Sequence, residues 1–239
     1  MTPWLIALWL ASPGSAQTPG DAQKKYDTGD YHGAATLYQK LVEGDPRGSS
    51  LHYDLGNALL KAGRLGPAIA SYQRAFDIKP RDPDIRFNLD FALKKAGEEL
   101  VPPGVPPVFF GLFYLLSERE LAGLGWLGCW AALLLASLWL LKAAQRPALG
   151  PWLSVALSFW AVFAGWWLLR SGLEPARRGV IVRPAAEIRS GPGDNFSVSF
   201  TAPEGRRVQI LSESAGWLQI GVLKEGAEGW IAAEAVEKI

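Results

Sequence analysis

Apolar residues are distributed along this chain in three different ways. Residues 121–141 and 148–169 form two uncharged apolar stretches, and because about 20 apolar residues span a hydrocarbon core, each can cross a bilayer as a helix. Only residues 142–147 separate them, so the pair predicts a two-helix transmembrane hairpin. Ahead of the hairpin, residues 82–96 put Ile85, Leu89, Ala92 and Leu93 on one helical face. Behind it, from Gly179 to Ile239, short β-rich runs at residues 180–182, 208–211, 217–222 and 229–232 are separated by Gly191, Pro192, Gly193, Gly205 and Gly216. Runs so spaced predict a small, partly open barrel. The expected fold class is a multidomain membrane protein: an all-α unit, a transmembrane hairpin and an all-β small barrel.

The all-α unit repeats. An offset of 34 pairs Gly29 with Gly63, Ala34 with Ala68, Tyr38 with Tyr72, Gln39 with Gln73 and Pro46 with Pro80. The second copy carries Leu55, Gly56, Leu59, Ala68, Tyr72, Ala75 and Pro80 at a spacing that resembles the tetratricopeptide repeat. Small residues at Gly56 and Ala68 allow two antiparallel helices to cross closely, Tyr72 and Leu59 fill the space around the crossing, and Pro80 stops the second helix. The first copy has Asp21 and Ala22 where the leucine and glycine belong, so its first helix is expected to start late. Residues 21–97 are thus read as two repeats and a capping helix, and residues 98–107 as a Pro-rich linker. An array of this kind presents a groove lined by the first helix of each pair. The candidate peptide-groove residues are Tyr53, Asn57 and Lys61, with Asn88 and Lys95 on the cap, each weighed against a plain solvated helix position.

Charge sets the expected orientation. The loop at 142–147 carries Lys142 and Arg146 and no acid, which reads as cytoplasmic, although Arg170, Arg177 and Arg178 beyond the second span pull the other way. Residues 1–16 break the tie: an apolar run from Trp4 to Ala11, then Pro13, Gly14, Ser15 and Ala16, read as a signal peptide cleaved after Ala16 or as an uncleaved anchor. Either exports the segment behind it, so both soluble parts are expected on the extracytoplasmic side of the inner membrane. Residues 108–117 are apolar but too short to span, which suits an interfacial helix. Gly128, Ala132 and Ala136 on the first span and Ala161 and Gly165 on the second let helices approach, either within the hairpin or with another membrane protein.

The β-region resembles a bacterial SH3-like domain in Ile188, Arg189, Ser190, Gly191 and Pro192, then Gly205, Val208, Gly216, Trp217 and the triplet Gly229, Trp230, Ile231. Glu187 and Ile188 replace the asparagine and valine usual in that family. The resemblance puts Arg189, Trp217 and Trp230 near a candidate surface for peptides or cell-wall material. As a structural expectation, Trp230 belongs to the core behind Gly229, while Trp217 is left open between core and surface.

Composition removes several function classes. Twelve acids balance twelve bases across residues 21–99, which leaves no electrostatic footprint for nucleic acid. Cys129, the single cysteine, lies in the first span and is expected to be a buried thiol, and His32 and His52 have no carboxylate or cysteine cluster, so neither a disulfide nor a metal or cofactor site is expected. Neither span carries Asp, Glu, Lys, Arg or His, against a transporter, and no nucleophile elbow or phosphate-cradling loop speaks for an enzyme.

The order of signal, tetratricopeptide repeats, interfacial segment, transmembrane pair and SH3-like domain, with Pro203, Glu204 and Gly205 before a strand and Ile239 at the close, is similar to the BatE proteins of the Bat aerotolerance operon. That resemblance implies a membrane-anchored, non-enzymatic scaffold in envelope or oxidative stress, with companion Bat proteins carrying von Willebrand factor A domains as partners. A peptidoglycan-binding protein acting through the barrel is the alternative.

Overall fold

The computed structural model describes residues 18–173, 177–222 and 226–239, so the signal expected at residues 1–16 lies outside the described residues. Five helices come first: α1 (Pro19–Asp27), α2 (Tyr31–Gly44), α3 (Ser49–Lys61), α4 (Leu65–Ile78) and α5 (Pro83–Lys95). Thr18 caps α1 in a reciprocal box with Asp21, and the Asp30 and Asp82 side chains cap α2 and α5. Gly29, Gly63 and Gly97 follow α1, α3 and α5 with φ of +83°, +78° and +70°, the left-handed closure that glycine allows. Their spacing of 34 carries the period into a third repeat, represented by α5. α1 has nine residues against thirteen in α3, the late start that its missing Leu-Gly pair implies. Gly56 lies against the Tyr72 ring: a Cβ there would come within 2.6 Å of two ring carbons, so the crossing tolerates no side chain.

Residues 98–107 are more than a spacer, because Glu98 and Leu100 are both buried. α6 (Pro107–Phe113) then lays Phe110 beside Phe76 of α4, with ring centroids 6.4 Å apart, while Val108, Phe109 and Leu112 stay exposed. Ser117 and Glu120 form a capping box that starts α7 (Glu118–Leu141), and a short turn at Ala143–Gln145 leads into α8 (Arg146–Leu173). Both long helices are apolar enough to cross a membrane, with mean hydropathies of 1.9 and 1.6, and only 17% and 6% of their most apolar windows are buried, unlike the core helices of a soluble protein. They run antiparallel, since Gly128 abuts Phe159 and Trp160 while Gly125 faces Ala164. Ala161 and Gly165 do not share this seam: Ala161 is exposed, and a Cβ on Gly165 would meet nothing within 4 Å. Cys129 is half-buried by the protein itself.

Seven strands complete the chain: β1 (Arg178–Ile181), β2 (Ala186–Arg189), β3 (Val198–Ala202), β4 (Arg207–Ser214), β5 (Trp217–Val222), β6 (Ala227–Ala232) and β7 (Val236–Lys238). They pair antiparallel in the order β3-β2-β6-β5-β4-β1-β7. Ala215 and Gly216, at φ +47° and +82°, make the two-residue turn that joins β4 to β5, a mirror-image turn whose twist suits a hairpin. Alternate residues, among them Ile188, Leu218, Ile220 and Ile231, enclose one core.

The β-domain docks on α4 and on residues 96–99, which follow α5. Val180 is buried in the helical core and Ile239 packs against it. The Gly66 N–H donates to Glu204 Oε1 at 2.7 Å, Arg74 pairs with Glu237 at 2.5 Å, and Arg178 pairs with Asp77 at 2.9 Å. Glu98, 9% exposed, accepts from Arg206 at 2.9 Å and Arg207 at 3.2 Å. Between these polar contacts Gly205, at φ +86°, sits so near α4 and α5 that a Cβ would lie 2.6 Å from Ala96 Cβ. The head is also tied to the hairpin, through Arg81 to Glu120 and through Arg170, which is 2% exposed, donates to the Leu116 carbonyl and stacks 4.8 Å from the Tyr114 ring.

Candidate functional site

Two first helices of successive repeats carry the groove candidates: Tyr53, Asn57 and Lys61 on α3, and Asn88 and Lys95 on α5. Tyr53, Asn57 and Asn88 are half-buried and joined to one another. The Asn88 amide donates to Tyr53 Oη at 2.9 Å and to Asn57 Oδ1 at 3.1 Å, and that same Oδ1 accepts from the Tyr72 hydroxyl at 2.7 Å. Tyr53 leans on Tyr72 with ring centroids 6.0 Å apart. The network therefore braces α3 against α4 and α5, so part of this polar chemistry is structural. Lys61 and Lys95 remain exposed, and Lys95 Nζ stands 5.2 Å over the half-exposed Phe91 ring.

Several residues near these candidates were not singled out by spacing. Tyr26 packs edge-on to Tyr31 at 5.2 Å, and the half-buried Asp54 of α3 acts electrostatically on Tyr26 of α1 and Tyr38 of α2. Burial pushes the Asp54 carboxyl above the usual carboxylate range, and its charge helps raise the Tyr26, Tyr38 and Tyr72 hydroxyls, Tyr38 to about 12, mainly through their own burial. Periodicity could have found Phe91, which lies three residues after Asn88 and four before Lys95 on one helical face. Asp54 left no signal, because its environment depends on the packing of α1.

On the β-domain, Trp230 is half-buried on the outer face and not in the core, where it was expected. The core position belongs to its neighbour Ile231, 1% exposed, because alternation along β6 sends successive side chains to opposite faces. Trp230 pairs with Gln219 on one side and Arg189 on the other, and Trp217 stands two residues along β5 from Gln219, so both tryptophans share the outer face. Arg189 is spent locally: its guanidinium holds the Asp194 carbonyl at 2.9 Å, the Phe196 carbonyl at 2.8 Å and Glu187 at 2.6 Å, fixing the loop between β2 and β3.

His52 is buried with Nε2 3.0 Å from the Pro46 carbonyl, and its desolvation holds the imidazole pKa low. Among the described residues no group of three His, Cys, Asp or Glu side chains is placed to hold a metal ion.

Residues 22–83 match the tetratricopeptide repeat model, and residues 184–237 match the bacterial SH3 domain model. The chain therefore combines a tetratricopeptide-like helical unit, two apolar helices and an SH3-like β-domain. Both matched modules are typically interaction modules without catalysis. Solved structures similar to this chain include MamA of AMB-1, at 24% identity over 33% of this chain and 43% of that one with a TM-score of 0.32. MamA of MSR-1 is similar at 22% identity over 34% of this chain and 49% of that one, with a TM-score of 0.31. The chain thus spans less than half the length of each. No curated protein matches it.

Proposed function

We propose that this protein is a membrane-anchored, non-enzymatic scaffold that holds protein partners at the outer face of the bacterial inner membrane. The observation that carries the reading is the docking of two interaction modules on each other above an apolar helical hairpin, with the groove of the first and the outer sheet face of the second both left open. α7 and α8 cross the membrane, the turn at Ala143–Gln145 lies in the cytoplasm, and α6 rests at the outer interface. The groove side chains Tyr53, Asn57, Lys61, Asn88 and Lys95 contact the partner, joined by Phe91. By the resemblance to the BatE proteins, the partners are companion membrane proteins with von Willebrand factor A domains acting in envelope or oxidative stress. Crosslinking in intact cells with mass spectrometry of the captured proteins tests this. Recovery of such proteins, lost when Lys61 and Lys95 are both changed to Glu, supports the scaffold, and capture that is indifferent to the groove overturns it.

A second reading rests on Trp217, Gln219 and Trp230, an outward sheet face of aromatic planes and an amide that suits the sugar rings of peptidoglycan. Sedimentation of the detergent-solubilised chain with purified sacculi, reduced in W217A and W230A, would favour the wall. Equal binding by both variants removes that reading.

A further inference from the structure

A cavity of about 510 Å³ lies where the repeat unit, residues 97–103, α6, the end of α8 and the β-domain meet. Its volume falls within the range of about 300–1,000 Å³ usual for small-molecule sites, which favour such junctions. Phe76, Leu100, Phe110, Val208 and Ile239 give it apolar walls drawn from five separate stretches of chain, and Leu173 lies at its edge. The polar lining includes Glu98, Glu99, Arg178 and Arg207, two acids and two bases. Glu98 is paired with Arg207, and Arg178 with Asp77, so this rim carries no charge excess that would select an ion. What these walls offer a ligand is an apolar space under a charge-balanced polar rim.

The placement says where such a ligand comes from. α6 has two faces: Phe110 turns into the cavity, while Val108 and Phe109, 72% and 63% exposed, turn away from it. Arg170 fixes the segment after α6 to the last turns of α8 by its bond to the Leu116 carbonyl. Leu173, the next residue but two along that helix, is 65% exposed and belongs to the lining. The cavity is therefore continuous with the end of a helix long and apolar enough to span the bilayer.

We propose that this cavity takes up one acyl chain of a phospholipid from the adjoining leaflet, with the headgroup left at the neutral rim. The inference rests on the membrane placement of α7 and α8 and is independent of what the groove binds. A lipid held there would touch the repeat unit and the β-domain together and so would fasten their junction to the bilayer.

The test uses the full chain reconstituted in vesicles that contain a phospholipid with a photoactivatable diazirine near the acyl terminus, in separate phosphatidylcholine and phosphatidylglycerol preparations. After irradiation, the labelled peptides are mapped. Labelling of α7 and α8 reports insertion in the membrane, so loss of that signal marks failure of the membrane reading alone. The expected result is additional label on peptides containing Leu100, Val208 or Ile239, to the same extent for the neutral and the anionic lipid. P103W, at an exposed lining position, should abolish the additional label while leaving that on the spans unchanged, and I239W should do the same from the β-domain side. Label confined to the spans and the outer face of α6 overturns the proposal. So does label on Val208 and Ile239 that survives both variants, or label there from a diazirine fatty acid and not from either phospholipid.

Discussion

Glu98 shows how much can depend on one carboxylate. It is 9% exposed and takes hydrogen bonds from two arginines of the β-domain, so the desolvation of three charged groups is offset by one another. Removing one partner from a buried ion pair costs about 3–5 kcal/mol, whereas an exposed pair is worth at most about 1 kcal/mol. E98A should therefore lower the denaturant midpoint of the full chain far more than K94A, whose pair with Asp90 is solvated. A buried imidazole and a half-buried carboxyl act in opposite directions. His52 has its pKa depressed from 6.5 by burial, so between that value and its folded one the unfolded chain binds more protons, and stability falls as pH drops below 6.5. H52Q should flatten that acid-side loss in a melting series. Asp54 has its pKa raised from 3.8, so here the folded chain holds the extra proton, and its stabilising share fades as pH rises through that window. D54N should raise the melting temperature at neutral pH and give no gain below pH 3.8.

At the scale of elements, the groove helices divide into bracing and free positions. N57A would strip the Tyr72 hydroxyl and the Asn88 amide of a shared acceptor and should cost about 1–3 kcal/mol, measured by thermal or chemical unfolding. K61A and K95A, at exposed positions, should stay within about 0.5 kcal/mol of the parent and yet weaken partner capture. A groove role is shown by that split, and equal capture by all three variants would leave these side chains as scaffolding. The helices themselves were legible because their signals are local: a period of 34, small residues at the crossing, glycine after each first helix, uncharged runs of spanning length. Trp230 was misplaced for an equally local reason, since its fate depends on which face of β6 meets the core, and the glycine before it marks close approach by Ile188 and not a pocket for the indole. Ala161 and Gly165 repeat the lesson, because small residues at four-residue spacing mark a possible seam without saying which helix face is used.

For the whole molecule, the decisive feature is the docking of two soluble parts that lie on either side of the hairpin in sequence. Nothing in the sequence patterning announced it, since Glu98 and Arg206 are 108 residues apart and neither belongs to a periodic motif. The docking has a topological consequence. α7 and α8, with the turn at Ala143–Gln145 between them, bring the chain back beside the repeat unit, so in the proposed membrane placement both soluble parts lie on one side, where Arg74 meets Glu237 and Arg178 meets Asp77. Single cysteines placed on exposed sites in a C129S background test this in intact cells with a membrane-impermeant maleimide. Cysteines replacing Lys40 in α2 and Glu228 in β6 should both react from outside, and one replacing Lys142 should react only after the membrane is opened. If position 40 reacted from outside and position 228 did not, the two parts would lie on opposite sides and the docked head could not exist in the cell. If both were hidden and position 142 reacted, the docking would stand while the scaffold would face the cytoplasm, and the wall-binding reading would fall with it.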